Sequence, residues 1–291
     1  YDLSFYSWSI SYSTQSRREI SGVRNSVFKW DMATSRLLSL AAGVIPELMQ
    51  DPAKFVGITA TAGWKATGVW FDPQTWTSST SREINKIIDD TGINVVDMEV
   101  IRLGNDTDDG EALVDAALEI GASNILVVSS LASAQETADR LSKLCSLVEM
   151  ENISICLEFM KFTSVKSLSE ALEVIDLVDA HNVGILLDLL HVARSGTSFK
   201  EIRACNHDLF PYVQWCDGTK NPVGWSNSEL VRDALDDRLI PCHGELDALD
   251  FESLFDIEVP FSIEVRSKAL RENFSDFEER AKYVLDHTLA A

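Results

Sequence analysis

From Leu37 onward, short apolar runs alternate with stretches whose apolar positions recur every three or four residues. The first kind reads as strands and the second as amphipathic helices. Eight runs fit strands: Leu37–Ala41, Thr67–Phe71, Val95–Glu99, Asn124–Ser129, Ile153–Glu158, Val183–Asp188, Tyr212–Asp217 and Phe261–Val265. Between them, Glu136–Val148 puts Ala138, Leu141, Leu144, Cys145 and Val148 on one helical face, and Leu168–Val178 does the same with Leu172, Ile175 and Val178. The strand ends Phe71, Glu99, Ser129, Glu158, Asp188 and Asp217 are separated by 28, 30, 29, 30 and 29 residues. A βα period that regular predicts an α/β chain folded as a single (β/α)8 TIM barrel over residues 32–291. No glycine-rich phosphate loop follows any strand, which argues against a nucleotide site.

Residues 1–31 stand outside this pattern. They hold eight serines and four basic residues against three acidic ones. They are expected to be an N-terminal extension, disordered or not native, such as an upstream stretch read through before a start at Met32. The whole chain carries 46 Asp and Glu against 25 Lys and Arg, a net charge of -21. Such a surface repels phosphate backbones and anionic lipid, so no nucleic acid or membrane partner is expected. Five scattered cysteines without a CxxC pair fit reduced thiols and a cytoplasmic protein. The expected partner is a small-molecule substrate, with the chain a monomer or homodimer.

Candidate chemistry lies at the strand ends, where barrels of this kind build their sites. In Ser154–Glu158 the bulky Ile155 and Leu157 point to the helices, so the period of two turns Glu158 into the barrel mouth. The same parity turns Asp188, Gln214 and Glu264 inward. Carboxylates gathered there need a cation to offset desolvation. Three carboxylates and an amide oxygen make a hard-oxygen set for one divalent ion: Mn²⁺ first, with Mg²⁺ or Co²⁺ as alternatives.

The segments Leu157–Met160, Leu187–Gly196, Val213–Asp217 and Ser262–Val265 resemble the xylose isomerase-like barrel superfamily of sugar phosphate isomerases and epimerases. The most specific piece is the D-x-x-H-x-x-R-S-G run from Asp188 to Gly196. The resemblance implies that Glu158, Asp188, Gln214 and Glu264 hold the metal and that His191 lies close to substrate. It also implies acid/base roles for Glu158 and Glu264, and one for His191. Many epimerase members carry His where this chain has Gln214, and glutamine there is similar to dehydratase-type members. Cys242 and His243 depart from the family's usual Pro-Gly-Glu-Gly-Glu loop, and Arg266 replaces a small residue or proline.

Two uses of such a site differ only in where a proton goes. Isomerisation or epimerisation of a sugar-like carbonyl compound through a metal-stabilised enediolate is the first expectation, and dehydration of a 3-dehydroshikimate- or inosose-like substrate the nearest variant. A non-catalytic sugar-binding barrel or partner subunit is the reading from another class. Arg194, His243 and Glu99 are expected at the substrate, with Arg194 alternatively pairing a ligand carboxylate and Glu99 alternatively pairing Arg102. His191 is expected in a βα loop, and Asp217 as an orienting group or a helix N-cap. Trp70, Phe71 and Phe159 are candidates for an apolar pocket wall.

Overall fold

The computed structural model describes residues 36–104 and 110–290; the expectation for residues 1–31 lies outside them. Eight parallel strands close into a barrel in sequence order: β1 (Leu38–Leu40), β2 (Ala66–Trp70), β3 (Asn94–Leu103), β4 (Asn124–Ser129), β5 (Ser154–Glu158), β6 (Val183–Asp188), β7 (Val213–Trp215) and β8 (Phe261–Ile263). Pairing of β8 with β1, Phe261 opposite Leu38 and Ile263 opposite Leu40, completes the ring.

Alternation along the strands sorts side chains into two apolar clusters. Ile155, Leu157, Ile185, Leu187, Val213 and Ile263 join the helices in the large outer cluster. Cys156, Leu186 and Tyr212 fill the barrel interior with Ala66, Val96, Leu126 and Val128. The outer layer is the larger source of stability, since each fully buried aliphatic or aromatic side chain contributes about 1.5–3 kcal/mol before entropy is counted. The helices start where the sequence supplies caps. Ser133, Ser167 and Ser226 accept from the amides of Glu136, Glu170 and Glu229, which satisfies donors otherwise orphaned in the first turn.

Three strands depart from expectation in ways that shape the site. β7 ends at Trp215 and β8 at Ile263, so Asp217 and Glu264 lie just past the ladder. β3 runs on to Leu103, and its register slips against β2 between Thr67 and Gly68 and against β4 between Met98 and Ile101. The slip breaks the simple alternation: Val95 packs in the outer cluster, whereas Val96 packs in the inner one. Ahead of β1, Arg36 stacks 4.1 Å over the Phe261 ring and bonds Glu252 and the carbonyls of Phe255, Asp256 and Val259. Among the described residues, no helix is long and apolar enough to cross a membrane.

Candidate active site

The C-terminal ends of the strands surround a cavity of about 350 Å³ lined by Glu99, Glu158, His191, Gln214, Glu264 and three arginines, Arg102, Arg238 and Arg266. Trp70, Met160 and Phe162 form much of its apolar wall. Of the aromatics expected there, Trp70 is present. Phe71 packs on Trp76 at 5.4 Å instead, and Phe159 is buried in the outer cluster.

β6 delivers two functional groups through one local device. Asp188 ends the strand and caps the helix Leu189–Ser195, its Oδ1 accepting from the His191 amide at 3.1 Å. The positive end of a helix favours an ionised cap. His191 therefore sits in the first turn of a helix, not in a loop. Its ring is 3% exposed, with Nε2 3.7 Å from Glu158 Oε1 and the Phe162 ring edge-on at 5.7 Å. The ligand atoms of Glu158, Asp188 and His191 lie within 4.8 Å of one another.

Arg238, a residue that sequence reasoning did not single out, enters this group from the loop after β7. It is 3% exposed; Nη1 donates to Asp188 Oδ2 and lies 3.4 Å from Cys216 Sγ, and Nη2 lies 3.4 Å from His191 Nε2. The loop that carries it is organised by Asp217, whose carboxylate accepts from the amides of Gly218, Gly244 and Leu246 at 2.7–2.9 Å. Asp217 is thus an orienting group for its loop and not a helix cap. Cys242 in the same loop has φ +67, the left-handed conformation that favours glycine.

Electrostatics divide the carboxylates. Burial acts to raise the pKa of Asp188, but the Arg238 guanidinium and the His191 contacts outweigh it and hold the group below the usual range. Burial, reinforced by Asp188, pushes Glu158 well up, and burial against the opposing Arg238 and Arg266 leaves Glu264 raised. Burial likewise lowers His191 to about 4, so the imidazole is neutral near pH 7. Deeper in the barrel, Asp97, also missed from sequence, is fully buried and raised to about 7 by burial, with the Glu264 charge adding to it. Glu99 lies on the same strand and is raised well above its ordinary value by burial, then by Glu264 and Asp97.

The expected contacts separate on this geometry. Glu158, Asp188, His191, Gln214 and Glu264 converge on one mouth, with Glu99 on its wall. Arg194 does not reach the cavity: Nε donates to Asp233 Oδ2 at 2.7 Å, and the remaining nitrogens bond Asp233 Oδ1 and the carbonyls of Thr219 and Lys220. Three residues beyond His191, it lies almost a turn along a short helix and is consumed by that clamp. His243 is exposed, its ring 5.9 Å from His287, because the Asp217-bound loop directs it away from the mouth.

A divalent cation fits this donor set. Glu264 Oε2, Glu99 Oε1 and Asp97 Oδ2 are buried without hydrogen-bond partners, and among the described residues Arg238 is the cation bonded to the group. The tightest trio draws on His191 in place of Glu264, and Gln214 and Glu264 face the same cavity. Carboxylate oxygens with one imidazole suit Mn²⁺, Mg²⁺ or Zn²⁺.

The family model for xylose isomerase-like TIM barrels matches residues 56–269. Solved structures agree on the fold. A xylose isomerase-like TIM barrel/4-hydroxyphenylpyruvate dioxygenase fusion protein superposes with TM-score 0.71 at 19% identity, over 87% of this chain but 43% of its own. An IOLI protein with a bound zinc atom gives 0.70 at 17% identity, over 87% and 96%. A probable 3-DHS dehydratase, AsbF, involved in petrobactin synthesis in Bacillus anthracis gives 0.63 at 17% identity, over 86% and 97%. No curated protein matches the sequence.

Proposed function

The chain belongs to the xylose isomerase-like TIM barrel family, and from that premise we propose that it is a divalent-metal-dependent isomerase or epimerase of a polyhydroxylated carbonyl compound. The observation that carries this reading is the convergence of Glu158, Asp188, Gln214 and Glu264 on one cavity with the Glu264 Oε2 lone pairs unpartnered. Those four residues, with His191 adjoining, would hold the ion, Mn²⁺ by the hardness of the donors. When bound, it supplies Lewis acidity toward a carbonyl and neighbouring hydroxyl.

The protein's own groups then divide the work. Glu158 and Glu264 flank the mouth and are raised by burial, which makes each a competent proton carrier near neutral pH. One takes the proton from the carbon beside the carbonyl, and the other returns it to the adjacent carbon or the opposite face. His191, neutral and bonded on either side, orients a substrate hydroxyl. Trp70, Met160 and Phe162 exclude water from the reacting carbons.

Dehydration is the second reading, favoured by Gln214 in place of the histidine of many epimerases and by a neutral His191 able to accept a proton before a β-hydroxyl departs. Elemental analysis after extensive dialysis tests the metal premise. About one ion per chain is expected in the wild type and none in Asp188→Asn. An ion-free wild type that takes none up overturns the reading and leaves a binding barrel.

A further inference from the structure

Two guanidinium groups reach the rim of the cavity without an acid bonded to either among the described residues. Arg102, on β3, makes one long hydrogen bond, Nη1 to the Val100 carbonyl at 3.5 Å, and lies 5.4 Å from the Trp70 ring centroid. Arg266, just past β8, lines the same cavity and has no hydrogen bond or ion pair with a described residue. Its stem is seated by Gly43: a Cβ built there would stand 2.8 Å from Arg266 Cδ and 2.7 Å from Glu264 Oε1. The absent side chain therefore lets Arg266 lie down against the first βα turn beside the acidic floor.

The two charges feel each other. Burial lowers Arg102 most, Glu99 opposes, and the charge of Arg266 adds to the lowering. Like charges placed side by side on a cavity wall raise the electrostatic energy of that wall unless an anion bridges them. The floor carboxylates do not serve: Glu99 Oε1 and Glu264 Oε2 remain unpartnered beneath both arginines. Planar guanidinia are suited to carboxylate and phosphate oxygens, which they bind in a forked geometry.

We propose that Arg102 and Arg266 form an anion subsite, so that the substrate carries a carboxylate or phosphate at the end remote from the carbons facing Glu158, Asp188 and Glu264. The inference rests on the functional reading above and specifies its substrate class. A cavity of about 350 Å³ is at the small end of ligand pockets and takes one sugar-sized molecule.

Calorimetric titration of the full chain with Mn²⁺ present, against D-sorbitol, D-gluconate and D-sorbitol 6-phosphate, tests it. One anion is expected to bind at least about tenfold more tightly than sorbitol, and which one identifies the charged group. Arg102→Gln and Arg266→Gln should each weaken that anion about tenfold and leave sorbitol unchanged. Equal binding of all three, binding of none, or a preference that survives both substitutions overturns the subsite. Mn²⁺ titration of the same samples separates the two ideas. Metal uptake without anion preference removes the subsite alone, and anion preference without metal uptake removes the metal reading and keeps the subsite.

Discussion

The barrel interior contains two groups of buried carboxylates in contrasting surroundings. On the β5–β6 side, Asp188 is bonded by Arg238 and capped onto a helix, and its pKa lies below the ordinary range despite complete burial. On the β3 side, Asp97 and Glu99 have orphaned oxygens and pKa values raised by the same burial. Burial is common to both, so the guanidinium decides which carboxylate stays ionised. The first group is built to present a fixed negative charge at the mouth; the second is built to carry a proton or to share an external cation.

Removing the guanidinium should erase the contrast. Arg238→Gln leaves Asp188 unpaired and is expected to cost about 3–5 kcal/mol in urea unfolding with chelator present. Mn²⁺ should restore more stability to this variant than to the wild type, since the ion and the guanidinium attract the same oxygens. A variant as stable as wild type in chelator would show that the pair does not hold the mouth together.

Asp97 breaks the contrast from the other side. Its folded pKa of about 7 exceeds its unfolded value, so the native state binds a proton the unfolded chain has released. Wild-type stability in chelator should therefore fall as pH rises from about 4 to 7. Asp97→Asn should lose that slope and exceed wild type above pH 7 by on the order of 2–4 kcal/mol. Parallel urea midpoints across the pH series for both proteins would contradict it.

The smallest effect concerns the loop that delivers Arg238. Cys242 holds a left-handed backbone, and Cys242→Gly should stabilise the protein by about 0.5–1 kcal/mol, net of the freedom glycine gains when unfolded. A lowered melting temperature would locate a packing role in the thiol.

The strands with unbroken alternation were legible from sequence. Parity alone turned Glu158, Asp188 and Gln214 into the barrel, because bulky partners such as Leu157 and Leu187 have no room inside it. Asp97 was hidden by the register slips in β3, which place Val96 and Asp97 inside in succession. Arg238 was hidden differently. It lies in a loop with no periodicity, and its partner Asp188 is fixed only when β6 and the turn after β7 meet in space. A signal was available in the charge count, since inward carboxylates required a buried cation and Arg238 opens the loop running to Asp247. Arg194 was misplaced because the D-x-x-H-x-x-R run conceals its turn into helix, where Asp233 claims the guanidinium.

Gly43 ties together parts of the chain that drift separately in most barrels. Because a methyl group there would collide with both Glu264 and Arg266, the first βα turn and the end of the last strand form a single unit of inheritance. A lineage that shortens Arg266 gains the freedom to fill position 43, and one that fills it first loses the arginine's seat. Charge selectivity at the rim is thus historically contingent on a residue that carries no charge and no side chain.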